Sequence, residues 1–411
     1  MGFAEVLRIP VFGLLFLAEA QSLIGDQLAR VALSVLVYDA TGSAPATAAT
    51  YAATLLPAIF GGVVVSRLGD RFPRRTVMVG CEVFRAGCFA AMTIPGVPLG
   101  ILIALVVVAV AAGPVFSAAE VSYLAAELDA EQFRAGNGLR MIASQATAVG
   151  GFVFGGVLVT AIGPRATLAV DAATFALSAV LVTIACRRPR VDGPAAPTAT
   201  PTAMGAGRHR PWRDPYLRNL VLLTLLVGFF VVPEGLAVPF GDSVSAATWQ
   251  VGVLLASGAL GGALGAVFLV SRVRPAVRPR VSRWLAVACG VPLLLTPLTD
   301  RWPLVAAAWF ASGFCAAYVV ETTSASVRAV PDGSRSSFVG TVSALMLSAQ
   351  GLGLIGFGLV AQWTDPGTAV AVAGACGTVL AIGVARAAAY TERRVDLSAR
   401  RVPVAGGARR L

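Results

Sequence analysis

Lysine is absent from this 411-residue chain: all 32 of its basic residues are arginine. Histidine occurs once, at His209, so no histidine pair is available for a metal site, and histidine-based catalysis inside the protein is not expected. Without lysine there can be no Walker-type phosphate loop and no Ser-x-x-Lys pair, which removes direct ATP use and one familiar acyl-transfer arrangement. Charged residues make up only 13% of the chain. A soluble protein carries roughly 25%, so about half of the usual solvating surface is missing. The six cysteines (Cys81, Cys88, Cys186, Cys289, Cys315 and Cys376) are scattered through apolar runs with no metal-type or disulfide-framework spacing. They read as small core hydrophobes. Neither a metal, an organic cofactor nor an enzyme active site is expected.

What the chain has in abundance is apolar length. It is 57% hydrophobic, with a mean hydropathy of +0.79, and runs of about 20 apolar residues recur from end to end, each long enough to cross a bilayer as a helix. Twelve spans fit, near 10–38, 45–65, 76–95, 98–123, 137–161, 166–186, 216–239, 246–270, 281–299, 302–323, 337–362 and 368–389. The fold class is therefore an all-α integral membrane protein. Arg8, the apolar run after it and Ala18-Glu19-Ala20 imitate a secretory signal, but the helical pattern continues through Tyr38 and reads as an uncleaved first span.

The stretch 187–215 is rich in proline, alanine, glycine and threonine and reads as a flexible linker. It divides a six-helix bundle over 1–186 from a second over 216–392, with a basic tail at 393–411. Of the arginines in loops and tails, only Arg165 and Arg301 fall on one side of this scheme; the rest fall on the other. The positive-inside rule makes that arginine-rich side, with both termini and the linker, cytoplasmic. It also accounts for the net charge of +11 without a nucleic-acid partner. The all-arginine composition fits a bacterial, GC-rich genome and a plasma-membrane location.

The two halves resemble each other. "SAAEVSYLAAELDAEQFRAGNG" (117–138) and "YVVETTSASVRAVPDGSRSSFVG" (318–340) occupy matching places, with Glu120 and Glu321 at equivalent positions near the cytoplasmic ends of their spans. Duplicated halves around a central cleft are a transporter signature. In addition, "SRLGDRFPRR" (66–75) resembles the cytoplasmic 2–3 loop signature of the major facilitator superfamily. Asp70, Arg71, Arg74 and Arg75 match it, while Ser66 and Pro73 replace its two glycines. "AQSLIGDQLARVALSVLVYDATGS" (20–43), "VDAATFALSA" (170–179) and "VPDGSRSSFVG" (330–340) resemble the macrolide-efflux-like branch of its drug:proton antiporters. The resemblance implies twelve helices in two pseudo-symmetric bundles around a central cavity, alternating access, and close contact of spans two with eleven and five with eight. It also implies a latch, in which Arg74 holds Asp70 against the start of span eleven near Ser336 and Ser337. Glu82 and Arg85 would extend that gate network inward, with Glu120 and Glu321 as further gate candidates.

Charges inside a membrane are costly and mark function by default. On the first span Ser22, Asp26 and Arg30 share one face, with Glu19 two turns before Asp26; Arg30 stands one turn beyond Asp26 and can pair with it. Glu234, next to Pro233, is the second candidate for proton coupling. Arg140, Gln145 and Asp171 form a further buried polar set. Glycines at four-residue spacing, Gly151/Gly155, Gly258/Gly262 and Gly261/Gly265, mark close helix approaches. The sequence thus points to a monomeric secondary transporter in a lipid bilayer, using the proton gradient to export a small amphipathic compound such as an antibiotic or secondary metabolite. The alternatives are a siderophore or metabolite carrier of either direction and, more remotely, a membrane sensor.

Overall fold

The computed structural model describes residues 3–56, 72–187, 214–331 and 335–400, without the side chains of 336–337 and 390–400. Asp70, Arg71 and most of the expected linker and tail lie outside the described residues. No strand occurs among those described. A bilayer offers nothing to bond exposed backbone groups, so apolar spans satisfy them internally as helices.

A short helix α1 (Phe3–Leu7) precedes α2 (Pro10–Thr41), which is the first span. Gly42, at φ 60°, ends α2 in a left-handed turn that suits glycine. Span two begins as α3 (Ala44–Ala53), where the Ser43 hydroxyl accepts from the Ala46 amide at 3.3 Å. Spans three to six are α4 (Arg74–Met92), α5 (Leu99–Glu127), α6 (Ala130–Ile162) and α7 (Pro164–Ala185). A capping box of Asp129 with Gln132 opens α6, satisfying two of its orphan amides.

Span seven is broken into α8 (Pro215–Leu225), α9 (Val227–Phe230) and α10 (Val232–Ser243). Pro233 lacks an amide hydrogen, so the helical ladder is interrupted just before Glu234. Span eight is α11 (Thr248–Arg272). Span nine starts as α12 (Arg278–Ala288) and tightens into a 3-10 turn over Pro292–Leu298, which holds two prolines. Span ten is α13 (Trp302–Ala316) and α14 (Tyr318–Arg328). Spans eleven and twelve are α15 (Arg335–Trp363) and α16 (Pro366–Arg400). Among the described residues, nine segments are long and apolar enough to cross a membrane. Not among them are α2 and α4, which carry several charges, and α3, which runs into undescribed residues.

Within the amino-terminal half, α2 packs on α6 and α7, and α4 packs on α5 and α7. In the other half α11 packs on α13, and α16 on α8 and the 3-10 turn. The halves meet where α6 crosses α11, and where α3 lies against α15 and α10. Spans five and eight, and two and eleven, are therefore in contact as the resemblance implied. The glycines that permit it are partly different ones. A Cβ on Gly156 would stand 2.9 Å from the Gly252 Cα, so this pair forms the α6–α11 seam. Gly261 and Gly265 instead face Phe310 and Phe314 of α13, and Gly258 receives Gly313, all within one half. On α15, Gly351 receives Leu56 and Gly358 receives Ala48.

We call the end bearing the turns at Gly42, Gly163 and Val244 distal, and the end bearing the N-terminus proximal. Gly156 lies six residues before the distal end of α6, about 9 Å at 1.5 Å per residue. The contacts of Gly156 with Gly252, Gly358 with Ala48 and Tyr38 with Asp242 all join the halves in the distal part of the molecule.

Candidate functional site

A cavity opens between the described helices of each half. The larger, of about 340 Å3, is walled by α2, α4, α5 and the end of span two, with Leu347 of α15 reaching in from the other half. Glu19, Ser22, Asp26 and Arg30 all line it from α2, so the face read from the sequence does look into a cavity. The smaller, of about 150 Å3, lies in the carboxy-terminal half and is lined by Glu234, Gln350, Phe230, Trp309 and Ser312.

The carboxylates on the cavity wall are paired with arginines, though not as expected. Asp26 is bonded to Arg85 of α4 rather than to Arg30. Arg30 donates to Gln27 at 3.2 Å and lies over the Tyr51 ring, 5.8 Å from its centre. The reason is geometric: Arg85, itself almost fully buried, crosses the gap between two helices and reaches Asp26 from within the bundle. Its guanidinium stacks on Phe175, 4.0 Å from the ring centre, and Nη1 donates to Ser22 at 3.4 Å. Arg85 thus lines the larger cavity, while Glu82, one turn before it on α4, is completely buried behind that wall. Arg85 stands eleven residues, about 16 Å of helix, beyond Arg74.

A second group is built on Arg140. It grips Glu19 with both Nε (2.5 Å) and Nη2 (2.6 Å), and Nη2 also donates to Glu120 at 2.7 Å. Two-pronged pairing of this kind is the strong form of an arginine–carboxylate bond. Glu120, expected near water, is completely buried, and Glu321 is nearly so. Burial is tolerated because each has a cation: Arg140 for Glu120, and Arg328 at 2.8 Å for Glu321. Gln145, expected inside, is exposed, while Thr147 in the same turn of α6 is buried. Asp171 is fully buried against α2, its Oδ1 accepting from Thr174 at 3.2 Å. Gly25 makes the space: a Cβ there would overlap Asp171 Oδ1 and stand 2.5 Å from Thr174 Oγ1.

Glu234 is tied to the opposite half. The Tyr51 hydroxyl donates to its Oε2 at 2.6 Å, and Arg30 lies beyond the Tyr51 ring. Glu234 also sits in the first turn of α10, where free amides favour negative charge. Tyr51 was not singled out from the sequence; a phenol in an otherwise small, apolar span is the signal that could have found it. Tyr38, which donates to Asp242 at 3.0 Å, was missed in the same way. In the 2–3 loop signature, Arg74 donates to the Ser122 carbonyl at 2.9 Å and so fastens α4 to α5, while Arg75 is exposed. No group of metal-binding side chains occurs among the described residues.

Two helical halves meeting around a cavity, with paired charges inside the membrane-spanning helices, define a polytopic membrane carrier. The family model described as Major Facilitator Superfamily matches residues 15–358, and the chain belongs to that superfamily. It is similar to the multidrug efflux pump Tap of Mycobacterium tuberculosis (strain ATCC 25618 / H37Rv), 28% identical over 370 residues, covering 85% of this chain and 86% of the relative. It is also similar to YkuC of Bacillus subtilis (strain 168), an uncharacterized MFS-type transporter, 26% identical over 332 residues and covering 76% of each chain. Among solved structures, a bacterial homologue of the human lysosomal transporter Spinster aligns with a TM-score of 0.67 at 15% identity, over 95% of this chain and 96% of that one.

Proposed function

We propose that this transporter exports a small amphipathic compound in exchange for protons. One observation carries the reading: the cavity wall presents two carboxylates, Glu19 and Asp26, each neutralised by an arginine from a neighbouring helix. Such pairs are poised for competition. A proton or a cationic group arriving from the cavity displaces an arginine, and the freed arginine repacks the helices around it. The efflux activity in the name of the Tap relative supports the outward direction.

The arginine distribution supports cytoplasmic termini, so the proximal end faces the cytoplasm and the distal end the outside. In that orientation the distal contacts between halves correspond to a state closed to the outside. Bundles over 1–186 and 216–392 then rock about the cavity, joined by the 187–215 linker. Asp70, Arg71, Arg74 and Arg75 form the cytoplasmic latch that closes when the outside opens. Energy comes from the proton gradient, with no bound cofactor, and one chain suffices as the working unit.

The test uses purified protein in liposomes loaded with a pH-sensitive dye, under an imposed proton gradient. Lipophilic cations, macrolides and siderophores are added in turn. The reading expects at least one compound to release protons in a protein-dependent way. If a compound crosses the membrane while none moves protons, the coupling is refuted and a uniporter takes its place.

A further inference from the structure

One arginine faces three carboxyl groups in the amino-terminal half. Arg85 is bonded to Asp26, and Glu82 and Asp171 lie close enough to interact with it. Glu82 is completely buried, and neither of its carboxyl oxygens has a hydrogen-bond partner within 3.5 Å among the described residues, though the Ser178 hydroxyl and the Arg85 guanidinium lie close by. Arg85 Nη1 stands 3.6 Å from Glu82 Oε1, beyond hydrogen-bond reach. Asp171 Oδ2 also lacks a partner. The titratable and charged groups facing Glu82 are Arg85 and Cys81 on its own helix, Asp26 on α2, Asp171 on α7 and Glu120 on α5. All but Arg85 are acids or a thiol, and Arg85 is already held by Asp26. An ionised Glu82 in this setting would be a buried charge sharing its one nearby cation, Arg85, with Asp26, and so only partly compensated.

We infer that Glu82 stores a proton, and that Arg85 is a counter-ion passing between Asp26 and Glu82. The inference deepens the proton-coupled reading above and rests on it for its physiological use. In the arrangement described, Asp26 is ionised and paired with Arg85, and Glu82 is neutral. When a proton or a cationic group neutralises Asp26 from the cavity, the guanidinium turns to Glu82. The Glu82 O–H bond then breaks, its electron pair stays on the carboxylate, and the proton leaves to cavity water. One positive charge enters as one leaves, so the net charge of the cluster is constant. Arg85 Nε, buried and without a hydrogen-bond partner, is a donor free to bond Glu82 after the turn. Arg85 is thus a positioning residue, and Glu82 is the group that binds and releases the proton.

Infrared spectroscopy of the full-length protein in lipid nanodiscs at neutral pH, with no substrate and no gradient, tests this. The protonated-carboxyl stretching band should lose one component in Glu82→Gln, a substitution that keeps shape and removes no bond. Asp171→Asn removes its own component and serves as the assignment control. The discriminating variant is Asp26→Asn: with Asp26 unable to hold Arg85, Glu82 should ionise and its component should vanish although its side chain is intact. Arg85→Gln gives an independent readout in the opposite direction, adding the Asp26 component to the band. An unchanged band in Glu82→Gln refutes the stored proton. A Glu82 component that persists at full intensity in Asp26→Asn, or an Arg85→Gln band with no gain, refutes the exchange of counter-ion. Because these spectra need no transport, failure of the export reading would show in liposomes and leave them unaltered.

Discussion

Tyr51 is the side chain whose loss should most cleanly unsettle the closed distal end. Its hydroxyl donates at 2.6 Å to Glu234 across the two halves, and the ring is almost completely buried. A hydrogen bond to a charged acceptor contributes about 1.5–3 kcal/mol. Opening the distal end separates α3 from α10 and breaks this bond, so Tyr51→Phe weakens only the closed state. At 1.4 kcal/mol per factor of ten, the equilibrium should move roughly ten- to a hundredfold toward the open state. A protein resting about 99% closed would then be open for about a tenth to a half of the time. Pulsed spin-label distance measurements between Thr93 and Thr299 in a cysteine-free background read this as a second, longer population. Tyr38→Phe is the internal comparison: its bond to Asp242 is longer, at 3.0 Å, and exposed, so its shift should be severalfold at most. Identical distance distributions for wild type and Tyr51→Phe would refute the reasoning.

Three further outcomes follow from the packing. Gly25→Ala should lower the melting temperature in detergent, because its Cβ meets Asp171 and Thr174; overpacking of this kind costs about 1–3 kcal/mol. Gly80→Ala, with nothing within 4 Å of its Cβ, should be neutral or slightly stabilising, and equal melting of the two variants would contradict the packing argument. Arg140→Gln leaves Glu19 and Glu120 without their shared cation and should destabilise the fold by about 3–5 kcal/mol, read by thermal melting, with partial recovery when Glu19→Gln is added. Gly156→Val should hold the distal ends of α6 and α11 apart and abolish transport in liposomes, whereas Gly258→Ala, whose nearest neighbour lies at 4.0 Å, should transport normally.

The sequence was most informative where a pattern runs along one helix. Apolar length marked the spans, and the face shared by Ser22, Asp26 and Arg30 was visible in the spacing and lines a cavity. It was least informative where partners come from different helices. Asp26 and Arg30 stand one turn apart in sequence, yet Arg85 takes Asp26 because helix packing delivers it. No spacing within α2 could show that. Glu120 looked like an end-of-helix residue in water, but Arg140, from the next helix, allows it to be buried. The glycine repeats of span eight were visible as small-residue spacing. Which neighbour they serve was not, since Gly252 meets the other half while Gly261 and Gly265 pack within their own. The internal duplication made Glu321 legible beside Glu120, and both do hold a nearby arginine.

The central claim is that a proton exchanges through the Asp26–Arg85 cluster each time a substrate crosses. It is tested most directly by following one transported compound in liposomes under two regimes, accumulation driven by an imposed pH gradient and counterflow with the compound on both sides. Asp26→Asn should lose gradient-driven accumulation and retain counterflow, because alternation survives while its coupling to protons does not. Undiminished accumulation by Asp26→Asn would contradict the account.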